Sequence, residues 1–380
     1  MADRPRVDVT GPAPRIRTGR IIAHRLFELA YGIDLQRAER LWAERSPGGR
    51  RRLSSTPAKA VAFGVAPLDL ALGSVALDLG GDAVEAMATA RLHDFGVASL
   101  ALSVLADGLP WAGFAERMDR LDRAVGTDAA ATPWPGLLDT LRAAVAGALD
   151  RPNAAPIEED YLVGMVTAFE APLTAEALLA RVDLAPLLAG AQPHPLSDSA
   201  RADLLRLRFS WHEDDLVVLG WDRAVLVEPR GETDVLDVLE VANAQLLEMR
   251  HYDELLDAEL PGMYALVAAA RRGARLFSHR RYARLARQLT TLVAEVTEQT
   301  ERVDNALQVT EDVYLARVYA AAMALFRVPV VGAAVDRKLS VIRDTYRGLY
   351  EEASATRAEL LEVAIVLLIV SEIVLSFVRH

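Results

Sequence analysis

Nineteen residues near the C-terminus constrain this chain more than any other stretch. From Leu360 to Val378 the sequence reads LLEVAIVLLIVSEIVLSFV, with fourteen Leu, Ile, Val or Phe residues. At ~1.5 Å per helical residue, such a run is about long enough to cross a bilayer core of ~30 Å. Two acids, Glu362 and Glu372, interrupt it. Insertion favours each large aliphatic residue by roughly 0.3–0.6 kcal/mol and penalises a central charge by about 2.5–3.5 kcal/mol. The aliphatic residues together outweigh Glu372, and Glu362 lies at the edge, where the penalty fades. The expectation is one membrane-spanning helix over 360–378, a tail anchor with the rest of the chain on one side. The competing expectation is a core helix packed inside a soluble domain.

The helix that carries this run has a second pattern. Val335, Leu339, Ile342, Tyr346, Leu349, Ala353, Thr356, Leu360, Val363, Leu367, Val370, Val374 and Phe377 follow a 4-3 spacing. That is a heptad seam continuing from ordinary chain into the apolar run. Leu285, Leu289, Leu292, Val296, Gln299, Val303 and Ala306 repeat it more weakly upstream. A break at Val328–Gly332 separates the two, so the spacing predicts a helical hairpin, with the seam used inside it or between chains. Beside the seam, Glu362, Ile365, Ile369, Glu372 and Ser376 form a polar-marked stripe. Glu372 is open to three roles: a hydrogen bond between helices, a tolerated lipid-facing acid, or part of an ion or proton path.

Upstream the pattern is mixed, and the predicted fold class is α+β. Strands are expected at Ile21–Ala30, Ala60–Gly64, Val75–Leu79, Glu85–His93 and Val97–Leu105. Helices are expected over Asp34–Glu44, with Asp34 as cap, and over Trp111–Val125 and Leu137–Leu149. Further strands are expected at Tyr161–Phe169, Leu204–Trp211, Asp215–Leu219 and Ala224–Glu228, closed by a turn at Pro229–Gly231. Residues 150–159 and 191–199 read as linkers, and 46–56 as a loop. Beyond Thr233 everything reads as helix, over 233–257, 261–276, 279–325 and 333–378. The domain reading is a disordered leader at 1–19, a head in two parts at 20–149 and 160–231, a helical region at 233–359 and the anchor at 360–378.

Composition narrows function by exclusion. A net charge of −11 argues against a general nucleic-acid binder. With no cysteine, disulfides, thiolate metal sites and a Cys nucleophile are impossible. Residues 1–20 have arginines and prolines but no apolar core of a secretory signal.

Short polar clusters offer little chemistry. Trp211–Asp215 holds His212, Glu213, Asp214 and Asp215, but neighbours on a strand face opposite ways, so a polar turn is the plainer reading. His251 and Glu254 are three apart on a helix and read as a solvated pair. His93–Asp94 are sequence neighbours and poorly placed as base and partner. Arg50–Arg52 and Arg271, Arg272, Arg275, Arg280 and Arg281 read as surface, the second group within reach of anionic headgroups. No phosphate-loop, dinucleotide, metalloprotease or nucleophile-elbow motif occurs. No catalytic, cofactor or metal residues are therefore assigned, and no cofactor is expected.

Ala242–Leu256 (ANAQLLEMRHYDELL), Asp336–Leu339, Tyr346, Leu349–Tyr350, Arg357, Leu361–Glu362 and Ser371–Ile373 occur in an order that resembles the YagE family of membrane proteins. Asp94–Val97 is compatible with that family's α/β part. The resemblance implies an α/β head, a helical region, one terminal membrane helix and a role as an oligomeric assembly factor. The expectation is thus a non-enzymatic, tail-anchored scaffold on a lipid bilayer, its bulk cytoplasmic, in a bacterial inner membrane rather than a mitochondrial one. It would be a homo-oligomer with protein partners and no nucleic acid. The alternatives are an oligomeric cation channel or transporter component, and an enzyme whose site has no sequence signature.

Overall fold

The computed structural model describes residues 13–45, 61–127, 129, 131–154, 156–191, 194–272, 275–304, 307–309 and 312–378. The chain forms β1 (Ile16–Glu28), β2 (Ala30–Ile33), α1 (Leu35–Arg45), β3 (Val61–Phe63), β4 (Leu68–Asp78), β5 (Ala83–Leu92) and β6 (Val97–Leu105). There follow α2 (Trp111–Val125), α3 (Trp134–Val145), β7 (Leu149–Pro152), β8 (Glu158–Phe169), α4 (Ala175–Arg181), α5 (Ala185–Ala189) and α6 (Asp198–Leu204). The last elements are β9 (Arg208–Phe209), β10 (Leu216–Leu219), β11 (Arg223–Val227), α7 (Asp234–Arg272), α8 (Arg275–Asp304), β12 (Leu307–Val309), α9 (Val313–Leu325) and α10 (Val328–Val378). They divide into two compact units, Met1–Glu248 with Val303–Val328, and Met249–Arg302 with Pro329–His380.

The first unit is built on an eight-stranded sheet in the order β4-β5-β6-β1-β8-β11-β10-β9. Its neighbours are antiparallel except β8 and β11, which run parallel. β1 pairs with β6 on one side and β8 on the other, so both expected parts of the head share one sheet. The period of two along each strand sorts the side chains. Ile21, Ala23 and Phe27 of β1, Ala86, Ala88 and Ala90 of β5 and Leu100, Leu102 and Val104 of β6 enter an apolar core with Trp42, Phe114, Met118, Leu121, Trp134 and Leu141 of α1–α3. The alternate residues of β5 and β1 face the other way, and there Arg91 meets the first turns of α7. Gln245 of α7 in turn donates to the Val303 carbonyl at 2.8 Å and takes the Tyr319 hydroxyl of α9 at 2.5 Å.

Several expected elements shift. Asp34 caps α1 as expected, accepting the Arg37 amide at 2.9 Å. The strand expected at Leu204–Trp211 shrinks to Arg208–Phe209, because Ser197 caps a helix, α6, by accepting the Ala200 amide at 3.2 Å. Residues 149–152 of the expected helix and linker are a strand paired with β2. α3 starts three residues early at Trp134, with Pro135 in the first turn, where a missing N–H costs nothing. α7 runs through Pro261 instead of stopping at residue 257. The helix expected over 279–325 is interrupted by β12 and restarted by Asp312, whose carboxylate takes the Tyr314 and Leu315 amides at 2.8 and 3.1 Å. The break expected at Val328–Gly332 falls at Phe326–Arg327, with Arg327 at φ 61°, and Pro329 occupies the tolerant first turn of α10. The 46–56 loop lies outside the described residues.

In the second unit Lys338 of α10 bridges Asp253 and Asp257 of α7, each at 2.7 Å. Val335, Leu339 and Ile342 of the seam are buried. Further along α10, Ile365, Val366, Leu367, Leu368, Ile369 and Val370 are all at least half exposed. Among the described residues no single helix is long and apolar enough to cross a membrane. α9 and Val328–Thr345 meet that measure only when taken together, and their Leu315, Val318, Ala322, Val335, Leu339 and Ile342 are buried.

Candidate functional site

The densest cluster of buried polar groups lies between the sheet and α7. β5 alternates Ala86, Ala88, Ala90 and Leu92 toward the apolar core with Met87, Thr89 and Arg91 toward the opposite face. Cross-strand register sets Asp69 of β4 directly opposite Arg91. Its carboxylate accepts from Nε at 2.7 Å and from a terminal nitrogen at 3.2 Å, the fork geometry that fits a guanidinium. The other terminal nitrogen donates to Asp237 at 2.6 Å and Glu240 at 3.1 Å, one turn apart on α7. Three carboxylates thus share Arg91, with two imidazoles close by.

Electrostatics divides these acids. Burial by itself would push Glu240 up, but Arg91, then His93 and His24, more than offset it and hold the carboxyl at about 2. Asp237 is raised instead, because its burial outweighs the attraction of Arg91. His93 is buried and stacked on Phe95 with ring centroids 4.9 Å apart. Its Nε2 stands 3.9 Å from Glu240 Oε1, too far to hydrogen-bond, and neither atom has a hydrogen-bond partner among the described residues. Burial lowers the His24 pKa, Arg91 and Arg20 lower it further, and Glu240 opposes them. A small cavity beside Glu240 is lined by His24, Tyr161, Leu236, Leu239 and Asn243.

His24 also borders an open cleft of about 300 Å³ with Asp122, Trp134, Asp160, Tyr161 and Asp222. Its acids are partly used. Arg223, itself buried, pairs with Asp119 at 2.7 Å and Asp122 at 2.5 Å. The Asp222 carboxyl is raised, chiefly by burial, with Arg223 opposing and Asp122 and Asp160 adding to the rise. The Tyr161 hydroxyl is spent on the Gly220 and Arg223 carbonyls at 3.1 and 3.2 Å. Among the described residues no group of three or more His, Asp or Glu is arranged to hold a metal ion.

Residues singled out from the sequence are scattered. Asp215 accepts the Trp211 and His212 amides at 2.7 and 3.0 Å and pairs with Arg230 at 3.0 Å, so that cluster is a braced turn. His251, lowered by burial against the opposing pull of Glu254, lies in the second unit. Asp94 belongs to the β5–β6 turn, and its neighbour His93 reaches the polar layer. Of the terminal stripe and seam, Glu372, Leu367 and Val370 are exposed, while the side chains of Glu362, Ser376, Tyr346, Leu349, Val363 and Val374 lie outside the described residues. Arg50–Arg52 lie outside them too, as do the side chains of Arg271, Arg272, Arg275, Arg280 and Arg281. The sequence alone singles out none of Arg91, Asp69, Asp237, Glu240, Glu28 and Glu248. The 3-8 spacing of acids 237, 240 and 248 on one helical face was the available signal.

A mixed α/β head with helices on both sheet faces is the class this architecture defines. Residues 18–234 match the family described as Uncharacterized protein MJ0711, N-terminal domain, and the chain belongs to that family. A relative bearing that name, from Methanocaldococcus jannaschii, is 23% identical over 178 residues, 47% of this chain and 53% of its own length. The chain thus spans about half the length of the curated relative that it matches. No solved structure matches it. The resemblance to the YagE family is overturned, because the matched family covers the head. The residues that suggested it lie mostly at 242–256 and 336–373, where heptad-spaced apolar residues recur in any long helical pair.

Proposed function

We propose that this protein is a membrane-associated scaffold or assembly factor, with its head presented by a helical region and the apolar part of α10 in contact with a bilayer. The observation that carries this reading is the run Ile365–Val370, in which six successive apolar residues are each at least half exposed. At ~100° per residue, six positions cover the whole circumference of a helix, and a helix apolar all round needs cover from protein or lipid. The ion-paired head adds support. Arg91 and Arg223 are held by carboxylates of this same chain, as expected of groups that fix a fold rather than turn over a substrate. Homo-oligomers through the α10 seam, and Glu372 as a contact between helices, belong to the same proposal.

The test is flotation of the full chain with lipid vesicles, compared with the double substitution Leu367→Arg and Leu368→Arg. Two central charges in place of two aliphatic residues cost insertion about 6–8 kcal/mol. Both side chains are exposed, so the head should be unaffected. The unmodified chain should float and the variant should stay at the bottom of the gradient. A variant that floats equally well would refute the bilayer contact. Cation flux through vesicles carrying the unmodified chain, lost in Glu372→Gln, would favour the channel reading instead.

A further inference from the structure

Between Glu259 and Glu295 the chain has seven arginines and no acid, in a protein whose net charge is −11. Arg271 and Arg272 close α7, and Arg275, Arg280, Arg281, Arg284 and Arg287 fall in the first half of α8. α8 begins three residues after α7 ends, and so short a connection folds two helices of one compact unit back on each other. The arginines therefore gather at one end of a helical hairpin. Arg284 and Arg287 are exposed, and neither has an ion-pair partner among the described residues. In the head, by contrast, Arg91 and Arg223 are neutralised by carboxylates.

Two contacts in the second unit set the height of that end along α10. A Cβ at Gly332 would stand 3.9 Å from the Met249 sulfur, and Lys338 meets both Asp253 and Asp257 at 2.7 Å. The partners advance together along the two helices, so α7 and α10 run in the same direction there. Continued at ~1.5 Å per residue, Arg272 comes level with about residue 355 of α10. Over 343–359, α10 carries Arg343, Arg347 and Arg357 against Asp344, Glu351, Glu352 and Glu359, a balance within one charge that leaves the hairpin arginines in excess. The apolar run starts at Leu360, roughly 8 Å beyond the hairpin end. Its exposed part, Ile365–Val370, lies further on.

We propose that the basic end of the α7–α8 hairpin binds anionic phospholipid headgroups where α10 enters the bilayer. The inference rests on the bilayer contact proposed above. A headgroup layer is ~5–8 Å thick on each side of the hydrocarbon core, so arginines set back by that distance from an apolar helix fall among the phosphates. Guanidinium groups fit phosphate oxygens in pairs. Nucleic acid offers the same phosphate, but an apolar run beside the basic end suits a lipid surface and not a nucleic-acid duplex.

Flotation of the full chain across a lipid titration tests it, with vesicles of phosphatidylcholine alone or mixed with phosphatidylglycerol. An arginine at an anionic surface strengthens binding about fivefold. The mixed vesicles should thus be bound at a lipid concentration more than ~100-fold lower, and the gain should vanish at ~1 M salt. Arg280→Gln, Arg281→Gln and Arg284→Gln together should remove about 100-fold of it, in helices of matched propensity. Lysine at the same three positions should keep the gain, which a purely structural role would not predict, and the salt dependence needs no variant. Equal binding to both vesicles would overturn the headgroup site and leave the bilayer contact standing, whereas binding to neither would remove both. An anionic preference untouched by the glutamines would overturn the site as well. So would retention of an RNA oligonucleotide by a chain indifferent to phosphatidylglycerol.

Discussion

Replacing Arg91 with methionine keeps most of the aliphatic stem and strips the counter-charge from Asp69, Asp237 and Glu240. The magnitude follows from Glu240. A carboxyl that titrates near 2 instead of its ordinary 4.5 is favoured as an anion by its folded surroundings. At ~1.4 kcal/mol per pH unit that preference is about 3 kcal/mol, and Arg91 is the largest attractive contributor to it. With two further acids stranded, the loss at pH 7 should be about 3–5 kcal/mol, the range for breaking a buried ion pair from one side. The sign with pH is fixed. Glu240 is depressed, so its contribution is present above about 4.5 and disappears as pH falls toward 2. The gap between Arg91→Met and the unmodified chain should therefore be widest near neutrality and close in acid. Tryptophan fluorescence during urea unfolding is the appropriate assay, because all five tryptophans (42, 111, 134, 211 and 221) lie in the first unit. A deficit below ~1 kcal/mol at pH 7, or one equally large at pH 3, would refute the account of Arg91 as the counter-charge of the layer.

Two further substitutions examine backbone and seam. Gly96 has φ +103°, and a Cβ there would overlap the Ala30 carbonyl oxygen, whereas Gly81, at φ +91°, has nothing within 4 Å. In the same fluorescence assay Gly81→Ala should cost about 1 kcal/mol of conformational strain, and Gly96→Ala about 2–5 kcal/mol of strain plus overlap; equal costs would contradict the packing at Gly96. Leu339→Asp buries an unpaired charge and should expose the α10 backbone to trypsin, while Arg343→Asp, on the exposed side, should not; equal cleavage would remove the case for the seam there.

The head was largely legible because its strands obey a period of two and its helices open on recognisable caps. Val97–Leu105 and Trp111–Val125 fall where spacing and Pro110 put them. Short elements were lost where one signal was read for another: Ser197-Asp198 marks a helix start, not a linker, and Pro152 closes a strand. The polar layer was not legible for a different reason. Arg91 and its partners Asp237 and Glu240 are 146 and 149 residues apart in sequence. No local spacing encodes a contact made by folding a helix back over a sheet. His93 stands beside Asp94 in sequence, whereas the acid that faces it is Glu240.

α7 explains why charged groups belong in that layer. Between Val235 and Glu248 every residue but Asp237 is buried, so no amphipathic stripe can decide which side of the helix meets the sheet. Apolar contacts alone would tolerate rotation about the helix axis, since Val, Leu and Ala on any face pack about equally well. Directional bonds do not. Arg91 fixes the first turns through Asp237 and Glu240. Gln245, a turn and a half further on, is fixed on another side by the Val303 carbonyl and the Tyr319 hydroxyl. Glu248, fully buried, lies on the same face of α7 as Asp237. Contacts on these two sides leave one rotation in which both are satisfied, and any other strands buried charge at a cost of several kcal/mol. The same helix continues past Glu248 into the second unit, where Asp253 and Asp257 receive Lys338. The polar layer is thus what fixes the rotation of α7 within the first unit.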